Sequence, residues 1–242
     1  MKHGSVTNPQ ARTGRTGPSR APLGKAALGK ATLGKAALRS STVLALTLLG
    51  LAGPHAQETP PPAPTTDPTQ VRSGAYRLDP AHGKITWSLG HLGFSTYYGQ
   101  ITDVAAEASL DAKAPDKSRI SVTVGTPSIT GLNDKLDAHL KSPDFFDTQK
   151  FPTATFVSTS VEPTSPTTAR VNGELTLKGV TRPVSFDATF NQAGLHPVDK
   201  LYTVGFDGRA VIKRSEFGIT AYLPMVGDEV TLRLEGEFKA VP

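Results

Sequence analysis

The chain has 242 residues, a formal charge of +5 and no cysteine. The missing thiol excludes disulfides, thiolate metal sites, cysteine nucleophiles and a lipidated cysteine. Eight of the 26 Lys/Arg and none of the 21 Asp/Glu fall in residues 1–40, and 41–56 carry no charge, so 57–242 hold 18 basic and 21 acidic side chains, a net of −3. The basic character therefore belongs to the leader. The remainder offers no basic stripe that could neutralise phosphates, which speaks against DNA or RNA as a partner.

In chain order, a basic stretch with a repeated LGKA (23–26, 28–31, 33–36) runs into the apolar segment VLALTLLGLAG, residues 43–53. A positive region, a short apolar region and nearby small residues are the order of a secretory signal peptide, with Ala56 or Ala52 as the residue before cleavage. Eleven apolar residues fall short of the roughly 20 that span a bilayer. Residues 1–56 are thus expected to be a basic leader and signal peptide, removed on export to the periplasm or exterior. The next segment, QETPPPAPTTDPTQVRS (57–73), has five prolines and little to bury. It reads as an extended, solvated linker to a domain at 74–242.

From Tyr76 onward the apolar residues alternate. Val230, Leu232, Leu234, Gly236 and Phe238 share one face of a strand, while Glu229, Thr231, Arg233, Glu235 and Glu237 share the other. The same period holds for 171–177, 184–190 and 204–212, with further strands expected at 76–79, 84–91, 101–111, 118–125 and 153–161. The expected fold is all-β, an antiparallel sandwich or closed barrel. One stretch, GLNDKLDAHLKSPDFFD (131–147), places Leu132, Leu136 and Leu140 at i, i+4 and i+8, with Asn133 to cap and Ser142-Pro143 to stop. It predicts a short helix closing one end of the β structure. Gly173, Gly208 and Gly236 fall on inward positions of their strands, either leaving interior space or marking bends.

Catalytic and metal patterns are weak. His82, His91, His139 and His196 form no HxH or HExxH; Asp137 and His139, two apart on a helix, face different ways. There is no GxSxG, SxxK, GxGxxG or phosphate-binding loop. No catalytic residue, metal or cofactor is expected.

The segments LDPAHGKITWSLGHLGFSTYYGQITD (78–103), SITGLNDKLDAHLKSPDFFDTQKFPTATFVSTSV (128–161), VNGELTLKGVTRPVSF (171–186) and IKRSEFGI (212–219) together resemble the motifs of the YceI-like family in order and spacing. The resemblance implies an antiparallel lipocalin-like barrel of about eight strands with a short helix capping one end. It further implies an apolar cavity for a polyisoprenoid or similar long-chain amphiphile, a quinone-like cargo included, in an exported, non-catalytic carrier that works near membranes; a homodimer is compatible with it. Two positions depart from the family pattern. Leu136 stands where an Arg usually precedes Asp–x–His–Leu, and Ile101 where an aromatic is usual.

Candidate cavity residues are Trp87, Phe94, Phe145, Phe156, Leu175, Leu177, Phe186, Phe206, Phe217 and Leu232, each of which could equally be core. His91, Asp137, His139 and Arg182 are the candidates for orienting a head group. Two other readings stay open: an enzyme on a lipid-like substrate with His139 or His91 as general base, and a structural or interaction protein whose barrel is packed solid.

Overall fold

The computed structural model describes residues 62–242. The expected leader and signal peptide, and the start of the linker, lie outside those residues.

Ten strands and one helix follow in order: β1 (Gly74–His91), β2 (Ser95–Ile101), β3 (Val104–Leu110), β4 (Arg119–Gly125), β5 (Ile129–Thr130), α1 (Asp134–Leu140), β6 (Thr153–Pro163), β7 (Thr168–Leu177), β8 (Val180–Leu195), β9 (Tyr202–Lys213) and β10 (Glu229–Ala240). Going round the sheet, β10, β9, β8, β7, β6, β4, β3 and β1 are neighbours, and β1 pairs back to β10. This closes an antiparallel barrel of eight strands, and closure leaves no free edge among them. The long strand β1 serves twice. Its first residues pair with β3, Tyr76 opposite Ala108, and its last with β2, Trp87 opposite Gly99. β2 and the two-residue β5 therefore form a flap beyond the barrel wall, paired at Gln100–Thr130 and Ile101–Ile129.

The alternation expected from sequence sets which side chains point inward, and Val204, on the inward face of β9, is wholly buried. The register shifts between Leu78 and Gly83, Ser158 and Ser160, and Phe190 and Gln192 are bulges that tighten the curl. The strand expected at 101–111 is β3; β2 falls between the strands expected at 84–91 and 101–111, because Tyr97 to Gln100 carries no alternating apolar pattern, and the chain turns from β2 to β3 at Thr102–Asp103.

Helix α1 starts where expected. Asn133 caps it, its side-chain oxygen accepting from the Leu136 N–H at 3.0 Å. The inward glycines neither stand open nor simply mark bends. A Cβ on Gly173 would come within 2.4 Å of the Phe156 ring, and one on Gly236 within 2.9 Å of the Phe238 ring. Each seats a neighbour's side chain.

The linker departs from expectation. Thr65 and Ala193 exchange both backbone hydrogen bonds, at 2.7 and 2.8 Å. Arg72 lies 4.3 Å over the Tyr202 ring, and the Tyr76 hydroxyl donates to the Arg72 carbonyl at 2.6 Å. Residues 65–73 are thus laid on the barrel and are not a free spacer; proline-rich composition records how little a segment can bury alone, not what a partner surface offers it.

Candidate functional site

Inside the barrel lies a cavity of about 330 Å³. At about 30 Å³ per water-sized group it has room for on the order of ten carbon-sized groups. The barrel is therefore not packed solid. Ala106 and Ala108 from β3, Val122 from β4, Phe156 from β6, Leu175 from β7, Phe186 from β8, Phe206 and Ala210 from β9, and Leu232 from β10 are among the side chains that line it. The wall is dry because these positions share the inward phase of their strands, and the space exists because several are alanine. One end of the cavity reaches Pro68, Val71, Asp111, Pro115, Ser118, Arg119, Pro163 and Thr168, which form the mouth. Arg119 is the cation of that rim, its Nη1 donating to the Asp116 and Ser118 carbonyls at 2.9 and 2.7 Å.

The opposite end is plugged. Trp87, Phe145, Leu177, Phe217 and Ile219 are buried core residues that do not border the cavity. Trp87 stacks on Tyr97, centroids 6.1 Å apart, and its indole lies against Gly99, where any side chain would collide with it. The plug is held by Arg214. This guanidinium, 4% exposed, donates to the carbonyls of Gly227 (2.8 Å), Ile219 (2.9 Å) and Val226 (2.8 Å). Burial pulls its pKa down, partly opposed by the Asp228 carboxylate. Burial also works to raise the Asp228 carboxyl, but two hydrogen bonds from Ser215, together with the Arg214 and Lys213 charges, outweigh it and hold the group below its ordinary value.

Of the apolar candidates, Phe156, Leu175, Phe186, Phe206 and Leu232 line the cavity. Trp87, Phe145, Leu177 and Phe217 are corrected to plug and core. Phe94 is corrected further: at the tip of the β1–β2 turn it is 91% exposed, because left-handed Leu92 and Gly93 turn the chain there.

The polar candidates also lie away from the cavity. His91 sits at the end of β1, 5.9 Å from the Tyr97 ring and bridged through its backbone to Val226. His139 meets the Asp144 carboxylate at 3.3 Å and packs edge-on to Phe145 and Tyr222. Asp137 accepts from the Thr130 hydroxyl at 2.6 Å and the Gly131 N–H at 2.7 Å, so it fastens α1 to β5. The Thr130 bond holds its carboxyl below the ordinary range. Arg182 is exposed and donates to the Thr181 carbonyl; bringing its charge into an apolar cavity would cost desolvation that nothing there returns. Sequence reading missed Arg119 and Arg214. The first is an ordinary surface residue until β3 and β4 pair around it, and the second stood in view in IKRSEFGI without a sign of its buried partners.

Among the described residues no group of His, Asp or Glu is arranged to hold a metal ion. What the fold and this interior define is a closed antiparallel barrel with an apolar pocket at one end, a binding-domain architecture. The YceI-like domain model matches residues 76–238, and the chain belongs to the YceI-like family. A UPF0312 protein of Pseudomonas putida is 39% identical over 152 residues, 62% of this chain and 79% of the relative; one of Pseudomonas fluorescens is 40% identical over the same length and shares. BcnA of Burkholderia cenocepacia superposes with a TM-score of 0.60 at 25% identity, over 68% of this chain and 99% of its own. A polyisoprenoid binding domain from Saccharophagus degradans superposes at 0.51 with 11% identity, over 70% of this chain and all of that one, a likeness of fold alone.

Proposed function

We propose that this protein is a non-catalytic carrier that holds the apolar chain of a polyisoprenoid or similar long-chain amphiphile in the barrel, and that it works outside the cytoplasm. The observation that carries this reading is the cavity: dry, about 330 Å³, and open at one end. Ten methylene-sized groups moved from water into it, at about 0.8 kcal/mol each, are worth about 8 kcal/mol, which corresponds to micromolar binding before ordering costs are subtracted. A head-group hydrogen bond adds only about 1 kcal/mol. Chain burial thus decides affinity, and the rim around Arg119 would set orientation. A chain longer than about ten carbons extends through the mouth.

The family match and the fold shared with a polyisoprenoid binding domain support a lipid-like ligand. A histidine-based enzyme draws no support from the geometry, since neither His91 nor His139 borders the cavity. Export rests on the leader pattern in residues 1–56.

The test is organic extraction of protein purified from its native compartment, with mass spectrometry of the extract. A co-purifying isoprenoid or other long-chain amphiphile, displaced by Ala210→Phe, is expected. Repeated recovery of lipid-free protein that also fails to take up added long-chain isoprenoids would end the proposal.

A further inference from the structure

The segment Thr65–Arg72 lies outside the matched family domain, which begins at residue 76, yet two of its residues, Pro68 and Val71, line the cavity mouth. Its attachments fix its course. At one end Thr65 is bridged to Ala193 at the end of β8. At the other, Ser73 accepts from the Ala112 N–H at 3.0 Å, and Gly74 pairs with Leu110 at the end of β3. In the order of the closed barrel, β8 and β3 are four strands apart in either direction. They stand on opposite sides of the mouth, and the segment joining them crosses it.

The crossing is shaped but lightly held. Asp67 caps a single turn, Pro68–Gln70, accepting from the Thr69 N–H at 2.9 Å, and this turn sets Pro68 and Val71 on the cavity side. Both are half-buried, while Thr66, Asp67, Thr69, Gln70 and Arg72 face solvent. Between Thr65 and Ser73 the apolar hold is Val71 on the edge of the core, and the polar holds on the rest of the protein come from Arg72: its N–H donates to the Tyr202 hydroxyl at 3.3 Å, its guanidinium lies on the Tyr202 ring, and its carbonyl accepts from Tyr76. A segment with few buried contacts and exposed hydrogen bonds opens locally, without unfolding of the barrel it rests on.

We propose that Thr65–Arg72 is a strap that gates the cavity: with its Ala193 and Tyr202 contacts made it narrows the mouth, and ligand enters or leaves when they break. This rests on the reading of the cavity as the binding site. It adds that exchange rate, unlike affinity, is set by a segment outside the family domain.

The absence of native cysteine makes a direct test clean. Ala106→Cys places one thiol on the cavity wall, and its labelling by a maleimide is timed with the strap intact and with the strap loosened by Thr65→Pro and Arg72→Ala. Loosening is confirmed by faster hydrogen exchange at the Ala193 amide. At least tenfold faster labelling is expected, with the unfolding midpoint of the barrel unchanged. Faster Ala193 exchange with an unaltered labelling rate overturns the gate. The labelling needs no ligand. In parallel, N-phenyl-1-naphthylamine is mixed with both forms of the chain; equal affinity with faster uptake and release from the loosened chain supports the gate, and equal rates overturn it. If this probe and added isoprenoids fail to bind either form, the lipid reading falls while the labelling still decides the gate.

Discussion

The two ends of the barrel are made by the same alternating strands and finish differently. Around the cavity, which opens at the mouth, the inward positions include Ala106, Ala108, Ala188 and Ala210, and part of the interior is empty. At the other end they and the adjoining loops bring Trp87, Phe145, Leu177 and Phe217, and the interior is full. The number of strands sets the bore; the size of the side chains decides whether it holds protein or ligand. A binding site of this kind is made by what is left out, so mutations should separate the two halves: stability resides mainly at the plugged end and ligand affinity at the open one.

The largest effect is expected at Arg214. Each buried carbonyl left without its donor costs about 1–3 kcal/mol, and Arg214→Met strands those of Gly227, Ile219 and Val226 together. A loss of upwards of about 3 kcal/mol in denaturant unfolding is expected, and Arg214→Lys, which keeps the charge but cannot fork to three acceptors, should recover little. A loss below about 1 kcal/mol would show that the 214–228 segment is held by packing alone.

The same truncation at the two ends gives the next largest contrast. Phe217 is 1% exposed and away from the cavity, so Phe217→Ala should cost about 3–5 kcal/mol. Phe186 already borders empty space and meets the Phe156 ring edge-on at 5.5 Å; with fewer contacts to lose, Phe186→Ala should cost about 1–2 kcal/mol. Equal costs in matched denaturation curves would mean that the cavity walls close on one another in solution.

How far this was legible in the sequence follows the same division. The alternation in 230–238 and in 204–212 named the inward faces correctly, because a strand's period is a local property. Which inward residue meets a neighbour and which meets space is not local. Phe156 and Phe145 look alike in sequence, yet one ring leans over Gly173 at the cavity wall and the other stacks on Tyr222 at the plug. His91, Asp137 and His139 are polar residues in an apolar motif and so suggest a ligand; in the structure Asp137 joins α1 to β5, His91 ends β1 beside Tyr97 and Val226, and His139 packs on Asp144, Phe145 and Tyr222, none of them bordering the cavity. The strap was invisible for the converse reason: its partners, Ala193 and Tyr202, lie well over a hundred residues away.

At the mouth, Tyr76 offers a smaller and pH-dependent effect. Burial, with a lesser contribution from Tyr202, pushes its phenol up to about 12. The unfolded chain therefore releases this proton first as pH rises past about 10, and the folded state holds it until about 12. Stability is complete below pH 10 and falls between 10 and 12, by about 2 kcal/mol. Ultraviolet titration of the phenols against unfolding curves checks it. Tyr76→Phe should abolish that alkaline phase and, by removing the bond to the Arg72 carbonyl, take away one of the strap's holds.

The smallest effect bears most directly on the division between the ends. Asp137 was a candidate for orienting a head group, and the structure gives it the task of fastening α1 to β5 through Thr130 and Gly131. Asp137→Asn keeps the shape but weakens both bonds, so a loss of about 1 kcal/mol is expected, with no change in the affinity for an apolar probe. The carboxyl is held below its ordinary value by the Thr130 hydroxyl. Its contribution is therefore present above the unfolded value near 4 and is lost as pH falls below that, and the variant should lack this part of the acid sensitivity. A variant of unaltered stability that binds the probe or an isoprenoid more weakly would place Asp137 at the ligand after all, and with it extend the binding site to the end of the barrel that Trp87 and Phe217 fill.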